Sequence, residues 1–194
     1  MLINWRMIWH VLARFSNMLT LIYIGITLLI LFVLLSMMWP PDSPWSPWWR
    51  TNKKIAKIQC KLAKIGPKDV VYDLGCGDGT ALLTAAEKGA RGVGVEIDLI
   101  RFWVARVRFL LSKYSGNLRV ERKNFFAVDV SPATVVIMYL IPKTLNRLKP
   151  KLLKELKAGT KVVTFVYQID LPLIVKDEKN EVYVYQIPKK KQEA

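Results

Sequence analysis

From Met18 to Met38 the chain runs 21 residues without a charge, built from Leu, Ile, Val, Met and Phe and broken only by Thr20, Tyr23, Gly25, Thr27 and Ser36. A helix of about 20 residues crosses the hydrocarbon core of a bilayer, so the pattern predicts a transmembrane helix over 18–38. A cleaved signal has a shorter apolar region, about 7–15 residues, and a small-residue cleavage site. Ser36-Met37-Met38-Trp39-Pro40 offers no such site, which makes the segment a retained single-pass anchor. Residues 1–17 mix Leu2, Ile3, Trp5, Ile8, Trp9, Val11 and Leu12 with Arg6, His10 and Arg14, an amphipathic lead-in for the headgroup level. Residues 39–51 are rich in proline and tryptophan and form a stiff linker. Its tryptophans suit an interface anchor or a lid on the following domain, and the pattern does not separate the two.

From residue 52 to 188 the periodicity changes repeatedly. Asn52 is placed as a helix cap, and Ile55, Ile58, Leu62 and Ile65 make a stripe at helical spacing that ends at Gly66-Pro67. Val70–Leu74 is a short apolar run, followed by glycines at 75, 77 and 79 and a helix near 80–88. A second run at 92–96 leads to a helix over 99–113, in which Phe102, Trp103, Phe109 and Leu110 are expected to face the core. Strands are predicted at 118–123, 134–140 and 161–167, with a basic helix over 144–157 bent or begun at Pro150. Two last strands, 172–175 and 181–187, flank a turn at Asp177–Asn180, and a basic tail fills 189–194. Strands alternating with helices predict an α/β domain, a mostly parallel sheet closed by a C-terminal antiparallel hairpin. Ligands of such sheets bind beyond the carboxyl ends of the strands.

Charge narrows the partners. The chain carries 30 Lys and Arg against 15 Asp and Glu, net +15, which favours anionic surfaces: lipid, nucleic acid or acidic protein. Beside a membrane segment, the lipid bilayer is the natural partner and nucleic acid the less natural one. Basic residues after the apolar run (Arg50, Lys53, Lys54, Lys57) modestly outnumber those before it, which places the domain on the cytoplasmic side. The two cysteines, Cys60 and Cys76, show no metal-ligand spacing, so no metal is expected. The lone His10 lies beside the apolar run, far from any candidate chemistry.

The candidate chemistry lies at Asp73-Leu74-Gly75-Cys76-Gly77-Asp78-Gly79. Strand, glycine turn and helix form a cofactor-binding unit, and Glu96, about twenty residues on, is placed to meet ribose hydroxyls. An acid just before the first glycine would repel a pyrophosphate, and no Gly-Lys-Ser/Thr follows, which excludes the triphosphate-binding loop. The same acid suits an ammonium or sulfonium. Asn124, at the end of the third strand, has an amide able to read an adenine edge. Together these describe S-adenosylmethionine.

Residues 70–79 and 92–96 resemble the first motif and the acidic second-strand end of class I, Rossmann-like seven-strand S-adenosylmethionine-dependent methyltransferases. The likeness extends over most of residues 18–187. It includes the apolar segment, Pro44-Trp45-Ser46-Pro47, Asn124-Phe125-Phe126-Ala127-Val128-Asp129, Val135–Pro142 and Leu148-x-x-x-Leu152-x-x-Glu155-Leu156. This arrangement is similar to the small membrane-anchored protein lysine methyltransferases that act in mitochondria on the ATP synthase c-subunit and the adenine nucleotide translocase, and to their prokaryotic relatives.

The resemblance implies that Asp73, Gly75, Gly77 and Asp78 line the methionine end of the cofactor, that Glu96 takes ribose, and that Asn124 replaces an adenine-reading acid. Cys76, Ile97 and Phe125 complete that set. Tyr139 and Asp129 are the candidates to orient the substrate amine, each with a structural alternative: buried core for Tyr139, a loop cap for Asp129. The implied activity is N-methylation of a lysine in a membrane protein by an enzyme on the cytoplasmic side, or the matrix side in a mitochondrion. The alternatives are a lipid or small-amphiphile substrate, or a cofactor-binding module without turnover.

Overall fold

The computed structural model describes residues 5–38 and 51–189 and divides into two units, 1–39 and 40–194. The expected linker at 39–51 and the expected tail at 189–194 lie outside the described residues except for Thr51 and Lys189.

The first unit is one helix, α1 (Trp5–Met38). The expected lead-in and the expected span are therefore one continuous element rather than two. Within it Ser16–Leu35 is long and apolar enough to cross a membrane, and none of its window is buried against protein. Its hydroxyls are satisfied locally: Thr20 and Thr27 donate to the carbonyls of Ser16 and Tyr23, both at 2.9 Å. Such back-bonding lowers the cost of a hydroxyl in an apolar medium.

The second unit begins with α2 (Lys53–Leu62), where the Asn52 side chain accepts from the Ile55 amide at 2.9 Å, as its position predicts. The helix stops before Gly66-Pro67, because Lys64 already turns left-handed at φ +51°. There follow β1 (Val70–Leu74), α3 (Thr80–Ala86), β2 (Arg91–Glu96), α4 (Leu99–Leu111), β3 (Leu118–Arg122), β4 (Val135–Met138), α5 (Pro142–Glu155), β5 (Lys161–Phe165), β6 (Leu173–Asp177) and β7 (Val182–Gln186). The seven strands form one sheet in the order β3-β2-β1-β4-β5-β7-β6. The first five are parallel, and β7 runs antiparallel to both β5 and β6. The strand order reverses between β1 and β4, and that switch point opens a crevice at the carboxyl edge.

Two apolar clusters cover the sheet. On one face Ile55, Ala56, Cys60, Leu82, Ala85, Ala105 and Phe109 from α2, α3 and α4 pack against Val71, Ile137 and Val163. On the other, Leu145, Leu148 and Leu152 of α5 pack with Val128 and Val130 against Leu74, Val95 and Met138.

Two expectations need correction. Of the four residues of α4 expected to face the core, only Phe102 and Phe109 do; Trp103 and Leu110 are 51% and 66% exposed, and Leu99, Val107 and Leu111 join them outside. The four positions span roughly 120° of the helix surface, and packing covers only the side that carries Phe102 and Phe109. Nor does α5 begin at Pro150. It starts at Pro142, where a fixed φ and a missing N–H suit the first turn, and it runs through Pro150 to Glu155.

Candidate active site

The crevice is built first from backbone. Gly75, Gly77 and Gly79 have φ of +88°, +54° and +75°, so each of the three alternate glycines occupies a conformation that disfavours a side chain. The Gly75 and Cys76 amides both donate to the Val95 carbonyl (2.9 and 3.1 Å), and Gly79 donates to Cys76. Gly77 donates to Glu96 Oε2 at 2.9 Å. These amides are committed within the protein, so the loop is not a cradle of free N–H groups for phosphate. This agrees with the argument from Asp73.

Asp73 ends β1 in register with Gly94 on one side and Ile137 on the other. It is 6% exposed. Burial, with Glu96 and Asp78 nearby, pushes its carboxyl up to about 8, and no hydrogen bond from a described residue lowers it. An acid buried without a donor, under like charges, is costly unless a cation arrives. Glu96 is equally buried. Its Oε1 accepts from the Ile97 and Asp98 amides (2.9 and 3.0 Å), while Oε2 holds Gly77, so Glu96 clamps the glycine loop to the end of β2. Burial raises its carboxyl, against those backbone hydrogen bonds and Arg101, which lower it. Arg101, in the first turn of α4, is buried at 6% exposure and is a neighbour that the sequence pattern did not single out.

Asp78 is occupied differently from its expected part at the methionine end. Its Oδ1 accepts from the Thr80 amide and hydroxyl (3.1 and 2.7 Å), which starts α3, and Oδ2 pairs with Arg108 of α4 at 2.8 Å. Asn124 uses Oδ1 to accept from the Phe126 amide at 3.0 Å, a bond that leaves its amide nitrogen uncommitted by that contact. With Ile97, Arg122 and Lys123 it lines an open cavity of about 400 Å³ at the ends of β2 and β3. Phe125 is half-buried beside Phe126, ring centroids 4.9 Å apart.

Tyr139 follows β4. Met138 pairs with Leu74 and with Thr164, so Gly75, Tyr139 and Phe165 come next in a row across the carboxyl edge. Asp129 is not brought there. Its carboxylate accepts from the Ser131 amide and hydroxyl (2.9 and 3.0 Å), and its neighbour Val130 donates to Glu155, at the end of α5 remote from the crevice. Asp129 is a loop cap, and its candidacy as a substrate-orienting residue is withdrawn.

The comparisons agree with this geometry. The ANTKMT methyltransferase domain matches residues 73–172. The chain belongs to that family. A protein-lysine N-methyltransferase of Saccharolobus islandicus is 41% identical over 135 residues, 69% of this chain and 82% of that protein. The lysine N-methyltransferase of the ATP synthase c-subunit from Caenorhabditis elegans is 29% identical over 58% of this chain, and the chain spans 62% of its length. A solved RNA methyltransferase of Salinibacter ruber, in complex with S-adenosyl-L-homocysteine, superposes with a TM-score of 0.70 at 34% identity, over 75% of this chain and 98% of that one. The chain is an S-adenosylmethionine-dependent methyltransferase with the seven-strand fold, and S-adenosylmethionine is its cofactor. The residues suit that molecule: a buried acid without a donor for its cationic end, a second acid at β2, and an open cavity beyond.

Proposed function

We propose that this enzyme methylates the ε-amine of a lysine in a membrane protein, tethered to the bilayer by α1, with its catalytic unit on the cytoplasmic side, or the matrix side if mitochondrial. The observation that carries the methyl-transfer chemistry is Asp73, buried at the switch point with no donor of its own and raised to about 8. The acceptor class rests on the protein-lysine N-methyltransferase at 41% identity. The membrane setting rests on Ser16–Leu35, on the net charge of +15, and on the named substrate of the c-subunit methyltransferases.

Bound cofactor supplies a methyl group on positive sulfur, which a neutral amine takes directly. This chain's residues then bind and align. Asp73 balances the cationic end, with Gly75, Cys76 and Gly77 shaping the wall beside it. Glu96, while holding Gly77, keeps acceptor capacity on Oε2 for a ribose hydroxyl. Ile97, Asn124 and Phe125 border the adenine end, where Asn124 donates through its amide nitrogen. Asp78 acts on the cofactor through the loop it pins to Arg108. Lysine, ordinarily near 10.4, must lose a proton before it attacks. Tyr139 is raised by burial and stays protonated near neutrality, so it orients the amine rather than deprotonating it, and water takes the proton.

A second reading has its own observation: the 34%-identical solved relative is named an RNA methyltransferase, and the chain is strongly basic. One experiment separates the two. Full-length protein is incubated with methyl-labelled S-adenosylmethionine and membrane fractions, which are then treated with protease, nuclease or lipid extraction. Label released only by protease and recovered as methyl-lysine is the expected result. Label in RNA or lipid overturns the acceptor, and loss of all transfer in Asp73→Ala and Glu96→Ala, with folding intact, ties it to this site.

A further inference from the structure

The chain leaves β5 through a turn that residues with side chains rarely make. Val166 has φ of +65°, and across it the Tyr167 amide donates back to the Phe165 carbonyl at 2.8 Å. An i to i+2 turn at positive φ is the strained form of γ-turn, and valine, β-branched, is among the residues least suited to it. The Val166 amide donates at 2.8 Å to the carbonyl of Glu181, itself at φ +52°. Of the three non-glycine residues in the left-handed region among the described residues, two are thus joined at one place. Strain of this kind persists where the surroundings over-determine it, and it gathers at ligand sites.

The turn gathers aromatic rings. Tyr139 meets Phe165 edge-on at 4.7 Å and 62°, and Tyr167 lies 6.4 Å from Tyr139 at 31°. All three are half-buried, each with part of its surface open. Glu181 is exposed and precedes Val182, which pairs with Phe165, so its backbone lies beside the cluster; burial first, then the charges of Tyr167 and Glu181, raise the Tyr139 phenol. The row Gly75, Tyr139, Phe165 puts the cluster beside the glycine loop. Ring faces and a carboxylate are what recognise an organic ammonium.

We propose that Tyr139, Phe165, Tyr167 and Glu181 form the acceptor subsite, which takes in a lysine side chain as its ammonium, the rings around the methylene stem and cation and the carboxylate at the outer edge. The proposal rests on the methyl-transfer reading and names where its acceptor enters. Selection is for a cation on an unbranched apolar stem, so a neutral isostere of the same length should bind much more weakly.

Two measurements on the full chain in detergent test it. Protein with ring-labelled tyrosines, loaded with S-adenosylhomocysteine, is titrated by NMR with Nα-acetyl-lysine methylamide and with Nα-acetyl-norleucine methylamide. Tyr139→Phe and Tyr167→Phe assign the two signals. The lysine probe should shift both at concentrations at least tenfold below the norleucine probe, and Glu181→Gln should weaken only the lysine response, by threefold or more. Equal response to both probes, or shifts confined to the other tyrosines, overturns the subsite. In the second measurement, Glu181→Gln and Tyr167→Leu, which keeps bulk at the turn, should bind S-adenosylmethionine within twofold of the parent by calorimetry. Their methyl transfer to membrane proteins should fall at least tenfold. Variants that transfer as well as the parent overturn the subsite alone. A parent that binds no cofactor overturns the methyl-transfer reading, and the ring titration repeated without S-adenosylhomocysteine still decides whether the cation site exists.

Discussion

Asp73 gives the site a pH signature with a definite sign. Its carboxyl is raised from 3.8 to about 8, so between those values the folded apo protein keeps a proton that the unfolded chain has released. The stability this contributes is complete below the unfolded value and is lost as pH rises through about 8. A cation beside Asp73 reverses its preference and expels the proton. Affinity for S-adenosylmethionine should therefore climb from pH 6 to 8 and level off above, with proton release visible by calorimetry in buffers of different ionisation heat. In Asp73→Asn both the climb and the proton release should vanish. A flat profile in the parent would mean that Asp73 is already ionised. A second prediction concerns Val166. Glycine tolerates φ of +65°, so Val166→Gly should change stability by no more than about 1 kcal/mol, the relieved strain offsetting lost packing. Val163→Gly, fully buried earlier in β5, should cost about 3 kcal/mol or more by denaturant titration. Residue identity made Asp73, Glu96 and the glycines legible as a candidate cofactor site, because an acid and positive-φ residues leave a mark in the sequence. It did not reveal the pairing of Asp78 with Arg108, thirty positions apart, or the turn at Val166, where no glycine signals the backbone.

At the level of elements, β2 shows how packing dictates sequence. A Cβ on Gly92 would lie 2.6 Å from Leu118 Cδ2, and one on Gly94 2.7 Å from Cys76 Sγ and 3.1 Å from Leu82 Cδ1. The glycines let α3 and its preceding loop sit directly on the strand. Gly94→Ala should destabilise by about 1–3 kcal/mol and weaken cofactor binding, because the contact it disturbs is inside the glycine loop. Cys76→Ala removes the nearer atom, so the double variant should recover part of that loss, a coupling read from a double-mutant cycle. Simple additivity would mean the strand yields instead. The order of elements was readable from the alternation of periods, and all seven strands fall where short apolar or β-branched runs predict them. Faces and ends were not. Trp103 and Leu110 are as apolar as Phe102 and Phe109, and only the direction of the sheet decides which pair is buried. Pro150 suggested a bend or a start for α5, but the helix starts at Pro142, and fully buried Leu145, Leu148 and Leu152 hold it together past the missing hydrogen bond.

For the whole molecule, the question is what the tether proposed for α1 would add to the catalytic unit. The residues assigned to the cofactor all lie within 73–125, on a seven-stranded sheet with its own two apolar clusters. Anchoring should therefore act on which substrate is met, by confining the site near the bilayer and raising its effective concentration toward targets there. Two arginines in the apolar stretch, Leu28→Arg with Leu31→Arg, would each cost roughly 2.5–3.5 kcal/mol at the centre of a membrane helix. The double variant should leave the membrane pellet on fractionation and still bind S-adenosylmethionine within twofold of the parent. It should also methylate a soluble lysine probe at the parent's rate. Labelling of membrane proteins should fall tenfold or more. Labelling that persists after the chain has left the membrane would place recognition in the catalytic unit and make the tether dispensable. Parallel loss of cofactor binding would show instead that α1 supports the fold of the unit it precedes.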